Sequence, residues 1–234
     1  MTKVLEIHEV QTFIGQFHIL EGVSLEVPEG SITVLLGRNG AGKTTTLKTI
    51  LGLTPPSTGR IFFDGEQIQG WRTHLIASRG IGYVPENRAI FNDLTVEENL
   101  KIAERRKGDL ERRAEFIFDL FPDLRRLIKL PGGHLSGGQQ QMLSIARALV
   151  PENKLLLIDE PSEGLAPVII EQMIEAVRQL SAHTTVLLVE QNFIMASQLA
   201  DRYVIIEAGK SVTSGMMADL VEDQATIHRY LGVT

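Results

Sequence analysis

Apolar positions along the chain fall into short β-branched or leucine-rich runs separated by longer amphipathic stretches, the alternation of a mixed α/β protein. The runs predict strands at 4–10, 31–36, 60–63, 80–84, 155–158, 185–189, 203–207 and 211–213. Two turn signals, Pro28-Glu29-Gly30 and Ala208-Gly209-Lys210, predict antiparallel hairpins beside a parallel sheet. Between residues 94 and 150 the strand pattern disappears. Thr95 opens a helical stretch there as N-cap, with Glu98 closing a capping box. The division that follows is a core of residues 1–85 and 151–234 with a helical insert at 86–150. Within the insert, the charge-dense segment 101–113 (KIAERRKGDLERR) reads as a solvated helix face, since acids alternate with bases.

Composition narrows the classes. With 234 residues, 43% apolar and 22% charged, the chain can bury a full core, and disordered or fibrous readings lose support. No run approaches the roughly 18 to 20 apolar residues of a membrane helix, so any membrane role is predicted to pass through a partner. The start, MTKVLEIHEV, lacks the basic-then-apolar pattern of a secretory signal, and cytosol is the simplest compartment. The absence of Cys excludes disulfides and thiolate metal sites. A net charge of −6 gives no basic footprint for nucleic acid.

The strongest chemical signal is Gly37-Arg38-Asn39-Gly40-Ala41-Gly42-Lys43-Thr44-Thr45, a GxxxxGK[ST] motif between a predicted strand and a helical run. Glycines let backbone N–H groups curl around phosphates, and the helix starting near Gly42 adds its positive end. Lys43 is placed to reach the β/γ oxygens of a nucleotide, and the Thr44 hydroxyl to ligate Mg²⁺. A second strand, at 155–158, ends in Asp159 and Glu160. A parallel strand delivers its last residues to the ligand crevice, so Asp159 is a candidate for Mg²⁺ and Glu160 for polarising the attacking water.

Among phosphate-loop proteins, Leu135-Ser136-Gly137-Gly138-Gln139-Gln140-Gln141 followed by MLSIARAL is the deciding segment. Here the chain resembles the nucleotide-binding subunit of ABC transporters, from about Leu5 onward. The resemblance implies a P-loop NTPase fold with a RecA-like parallel core, an antiparallel β piece and the inserted helices. It implies ATP and Mg²⁺ as ligands, and a pair of such subunits in which Ser136, Gly138 and Gln139 complete the partner's ATP site. The segments Pro85-Glu86-Asn87-Arg88-Ala89-Ile90-Phe91, Leu94 to Leu100, Glu160 to Pro167, Leu188 to Asn192 and Tyr230-Leu231-Gly232-Val233 resemble the LivF type of branched-chain amino acid uptake ATPase. That type works with a second, LivG-like ATPase, or here as a homodimer, with two permease subunits and, indirectly, a solute-binding protein. Its place is the cytoplasmic face of the inner membrane, held by the permeases. The urea-uptake ATPase of the same branch is similar, and Gly37-Arg38-Asn39-Gly40 resembles its phosphate loop.

The resemblance also marks departures. Glu86 stands where ABC ATPases at large offer Gln to Mg²⁺ and water; a carboxylate still coordinates Mg²⁺. Gln191 stands in place of the switch His; it can donate to phosphate but carries no titratable proton. Ala166 replaces an Asp. Gln191 and Ala166 together motivate a rival reading, a mainly regulatory subunit whose partner dominates hydrolysis. A soluble ABC ATPase acting on DNA would want a coiled-coil insertion or zinc cysteines, and the sequence has neither. Adenine is placed on Ile14, on Phe13 or on neither, a core role for Phe13 and Phe17 being equally open. Asn87 and Glu163 stand for the usual Gly and Leu with no assigned consequence. The six histidines show no metal spacing, Trp71 and Met216-Met217 read as packing residues, and Ile90, Phe91 and Leu94 are either core or part of the groove that in this family receives the permease.

Overall fold

The computed structural model describes residues 2–232. Val233, part of the Tyr230-to-Val233 ending, lies outside them. Among the described residues ten strands form one sheet: β1 (Lys3–Ile14), β2 (Phe17–Pro28), β3 (Ile32–Leu36), β4 (Thr58–Phe63), β5 (Glu66–Gln67), β6 (Ile81–Val84), β7 (Leu155–Asp159), β8 (Thr185–Glu190), β9 (Arg202–Glu207) and β10 (Lys210–Met216). Their order is β5-β4-β1-β2-β10-β9-β3-β8-β7-β6. The half from β9 to β6 is parallel, and β5, β4, β1 and β2 form an antiparallel piece.

Strands β3, β7 and β8 are buried at every position, as expected of parallel strands covered on both faces. Their alternate side chains feed two cores. Leu36, Leu156, Ile158 and Leu188 pack under the helices α3 to α8, whereas Leu35, Leu157, Leu187 and Val189 pack toward β1, β2 and β4. The helices are α1 (Lys43–Ile50) and α2 (Thr73–Ser78) on the second side, then α3 (Val96–Lys101), α4 (Asp109–Leu120), α5 (Pro122–Arg126), α6 (Gly137–Leu149), α7 (Pro167–Ser181) and α8 (Phe193–Leu199). Thr95 caps α3 in a full capping box with Glu98.

Four expectations change. Strand β2 has no counterpart among the predicted runs. Its buried positions switch from even to odd between Leu20 and Val23 at Gly22 (φ 138), a bulge opposite a register shift in β1, so the period of two is interrupted where it would have been read. Pro28-Glu29-Gly30 is not a hairpin, since β2 and β3 are not neighbours in the sheet; Ala208-Gly209-Lys210 is one, joining antiparallel β9 and β10. The segment 101–113 is not one helix: it leaves α3 at Lys101, turns, and re-enters helix at Asp109. Met217 is buried, but Met216 is 46% exposed and packs no core.

The β1 bulge sets one exacting requirement. Glu9 takes a positive φ of 46°, and Gly59 of β4 (φ 92) lies against it. A Cβ on Gly59 would meet Val10 Cα and the Glu9 carbonyl oxygen, each at 2.6 Å, both unyielding main-chain atoms. Gly59→Ala is expected to cost on the order of 3 kcal/mol, about 10 °C in Tm for a chain of this size. Thermal denaturation followed by circular dichroism checks it; an unchanged Tm would show that the bulge relaxes freely.

Candidate functional site

The parallel half of the sheet brings distant segments to one edge. At the carboxyl end of β3 the chain enters the glycine loop, where Gly37, Gly40 and Gly42 all have positive φ, and Gly42 caps α1 without a side chain. A Cβ on Gly37 would lie 2.4 Å from the Ile206 carbonyl oxygen, so that position is closed to other residues, whereas Gly40 has open space around it. Lys43, only 4% exposed, folds back over the loop. Its ammonium donates to the carbonyl oxygens of Gly37 at 2.9 Å and Arg38 at 3.3 Å, and forms an ion pair with Glu160 Oε1 at 3.0 Å.

Beside this pair, the Thr44 hydroxyl donates to Asp159 Oδ1 at 2.9 Å and the Tyr83 hydroxyl to Asp159 Oδ2 at 3.1 Å. Burial pushes the Asp159 carboxyl up, and the two hydroxyl donors pull against it. Burial, with Asp159 adjacent, raises the Tyr83 phenol far above its ordinary range, which keeps it a donor. Tyr83 was not among the sequence candidates. Its signal was positional, for it lies on β6, the parallel neighbour of β7, two residues before Pro85-Glu86.

Glu160 occupies a left-handed backbone position (φ 42), fixed by its N–H donating to the Val189 carbonyl at 2.9 Å. A non-glycine residue held this way costs roughly 1–3 kcal/mol, and such strain concentrates at functional positions. Asn39, Gly40, Lys43, Thr44, Thr45, Glu86, Glu160, Glu163 and Ile19 enclose a cleft of ≈ 400 Å³. Glu86 faces Glu163 across it; burial first, then the shared contact with Glu163, raises the Glu86 carboxyl. Glu163, which the sequence left without a role, therefore belongs to the same acidic rim.

The remaining candidates are not among the residues that line this cleft. Ser136 and Gln139 sit at the start of α6, where each side chain caps the other's backbone N–H, at 3.3 and 3.0 Å. Gly138 lies where a Cβ would meet Ile169 of α7 at 2.8 Å, a packing reason for glycine independent of any ligand. Gln191 is exposed just beyond β8. Phe13 and Ile14 are about half exposed at the tip of the β1–β2 hairpin, with the Phe13 ring stacked flat on His18 at 4.2 Å; the hydrophobic wall of the cleft is Ile19. Arg38 reaches the C-terminal end, its guanidinium 3.5 Å from the Arg229 carbonyl oxygen. Ala41 is buried beneath the loop. Ala166 occupies the N-cap of α7 and supplies no cap, forgoing about 1 kcal/mol that an Asp offers there.

The loop after Glu86 is fastened to α6. Arg88 Nε donates to Gln141 Oε1 at 3.2 Å, Ser144 Oγ donates to the Arg88 carbonyl at 2.8 Å, and Arg147 donates to the Ala89 carbonyl. Arg88 (φ 62) and Ala89 (φ 49) are consecutive left-handed residues.

Glu190, absent from the sequence candidates, lies beneath the Glu160 turn. It accepts from the Ser162 N–H and hydroxyl at 3.1 and 3.0 Å and from the Asn192 N–H at 3.2 Å. Burial outweighs these donors and pushes its carboxyl up to about 6 from 4.5. The folded form therefore holds this proton more tightly than the unfolded chain. The associated stability, about 2 kcal/mol, is full below pH 4.5 and is lost as pH rises through 6. Glu190→Gln is expected to flatten the fall in Tm between pH 5 and 7; a variant with the same slope as the parent protein would refute this origin.

A family model described as "ABC transporter" matches residues 20–163. The chain belongs to the ABC transporter family. It is 42% identical over 232 residues to the high-affinity branched-chain amino acid transport ATP-binding protein BraG of Pseudomonas aeruginosa, covering 98% of this chain and 100% of that one. A probable branched-chain amino acid transport ATP-binding protein, LivF, of Archaeoglobus fulgidus is 37% identical, covering 89% and 90%. An ATP-binding cassette of an ABC transporter, solved in its ADP conformation, superposes with a TM-score of 0.86 at 25% identity over 100% of both chains. Family membership makes this chain a nucleotide-binding ATPase subunit whose partners are membrane permeases. Among the described residues, no helix is long and apolar enough to cross a membrane.

Proposed function

We propose that this chain is the ATP-binding and ATP-hydrolysing subunit of an importer of branched-chain or other hydrophobic amino acids. The observation that carries the reading is the convergence of Lys43, Thr44, Asp159 and Glu160 at one sheet edge, joined by contacts of 2.9 and 3.0 Å. The substrate class rests on the names of relatives at 42% and 37% identity.

In this reading the Gly37–Thr45 backbone and Lys43 hold the nucleotide phosphates. Thr44 and Asp159, already within hydrogen-bond distance of each other, fit a magnesium site that takes one carboxylate and one hydroxyl and leaves the remaining positions to phosphate and water; Glu86 would be a further oxygen donor. Magnesium there would neutralise phosphate charge. Glu160 accepts the proton of the attacking water. Gln191 donates a hydrogen bond to the γ-phosphate without exchanging a proton. Ser136, Gly138 and Gln139 complete the site of a second ATPase, LivG-like or another copy of this chain, and the 86–150 helices act as the unit that carries them. Phe13 or Ile14 contacts adenine. Two permease subunits hold the pair at the cytoplasmic face of the inner membrane, with a solute-binding protein supplying the amino acid.

Co-purification in mild detergent tests the assembly. Recovery of two permease chains and a second ATPase is expected; isolation as an active homodimer with no membrane partner would overturn the importer reading.

A further inference from the structure

The charge-dense segment 101–113 has no part in the ATPase reading, yet it folds into the wall of a cleft of ≈ 640 Å³, a size typical of small-molecule sites. The cleft lies at the opposite edge of the sheet from the nucleotide residues: Gly80 and Lys154, which line it, directly precede the first residues of β6 and β7. Seven Arg and Lys residues line it against only Asp109 and Glu152, in a chain whose net charge is −6.

Three of these cations are already paired: Arg79 with Glu66, Arg112 with Asp109, and Lys154 with Asp64. The side-chain cations of Arg105, Arg106, Lys107 and Arg113 have no carboxylate within 4.0 Å among the described residues, while the backbone N–H groups of Arg105 and Arg106 donate to Asp109 Oδ2 at 3.0 and 2.8 Å. Arg105 is held in place through a hydrogen bond to the Ile81 carbonyl at 2.9 Å. The first turn of the twelve-residue α4 is already met by acids, since the Leu110 N–H donates to Glu104 Oε1 at 3.0 Å and the turn carries Asp109 and Glu111, so the side-chain cations and not the helix end supply the positive field.

Asn153, 7% exposed, also lines the cleft. Its amide nitrogen donates to the carbonyls of Ala148 at 2.7 Å and Pro151 at 3.0 Å, which fixes the amide orientation and leaves Oδ1 as a buried acceptor with no donor. That oxygen is fully covered by protein and the amide lies against Gly82, so Asn153 forms part of the floor rather than a ligand contact. The apolar lining residues, Val150 and Pro151, are themselves buried, so nothing here is shaped to enter a bilayer.

We propose that this cleft binds a small soluble polyanion, carrying two or more phosphate groups, at a site separate from the nucleotide cleft. Arg105, Arg106, Lys107 and Arg113 supply the phosphate contacts, in the manner of charge-assisted pairs.

Fructose 1,6-bisphosphate serves as the probe, by titration calorimetry on the full chain at low salt. Saturable binding is expected, weakened at least tenfold by Arg106→Glu combined with Lys107→Glu, and within twofold of the parent protein in Lys43→Ala, which separates it from the phosphate loop. If the double charge reversal disturbs the fold by circular dichroism, Arg106→Gln alone is expected to weaken binding about threefold. No binding by the parent protein, equal affinity in a folded charge-reversed variant, or loss of binding in Lys43→Ala would each overturn the proposal. So would affinity confined to phosphatidylglycerol vesicles, which would transfer the cations to a lipid surface.

Discussion

Glu160→Gln is expected to lower ATP turnover of the assembled transporter by about 10²–10⁴-fold, the range for removing a general base, while nucleotide affinity stays within a few-fold. The two effects separate because the substituted amide still offers an oxygen to Lys43, which sits 3.0 Å from Glu160 Oε1 and is also held by the Gly37 carbonyl. The strained backbone at Glu160 and its N–H bond to Val189 would be unaffected by a change at the end of the side chain. Steady-state turnover and equilibrium nucleotide binding, measured on the same preparation, decide it. Undiminished turnover would remove the base assignment and favour the rival reading in which this subunit regulates a more active partner. Inactivating the corresponding carboxylate of that partner would then abolish hydrolysis.

Lys43→Ala is expected to weaken nucleotide binding by about 100-fold, corresponding to the loss of charge-assisted hydrogen bonds of roughly 1.5–3 kcal/mol. Lys43 is nearly buried, and its three contacts are the carbonyls of Gly37 and Arg38 and the carboxylate of Glu160. In the proposed reading phosphate competes with Glu160 for the same ammonium, and binding is expected to detach Glu160 from its partner as it recruits Lys43. The substitution also leaves the Glu160 carboxylate without its cation, so some loss of stability accompanies the loss of affinity. Binding of a fluorescent ATP analogue, with circular dichroism to show that the fold persists, measures the effect. Affinity within threefold of the parent protein would mean that the loop backbone alone holds phosphate.

Much of the candidate site's juxtaposition was legible in the sequence because its residues are contiguous. Lys43 and Thr44 belong to one loop, Asp159 and Glu160 to one strand end, and parallel pairing of β3, β8 and β7 places both at the same edge. What was not legible depends on neighbours across the sheet. Tyr83 bonds Asp159 only because β6 lies beside β7, and Glu190 meets Ser162 only because β8 ends beside the Glu160 turn. Strand β2 was hidden for a different reason, as the bulge at Gly22 shifts the buried side chains by one position and breaks the alternation. Segment 101–113 misled because mixed charge marks solvent contact without saying whether the surface is convex. Gly108 ends the turn between the two helices there, and the result is concave.

The three side-chain ties between residues 88–89 and α6 have a mechanical consequence. Two successive residues in left-handed conformations leave that loop little freedom to absorb displacement by local rotation, so a shift at Glu86 is transmitted as movement of the whole helix. Gly137, the first residue of α6, lies directly against the Arg88 guanidinium, so the loop after Glu86 and the opening turn of that helix are coupled without any intervening segment.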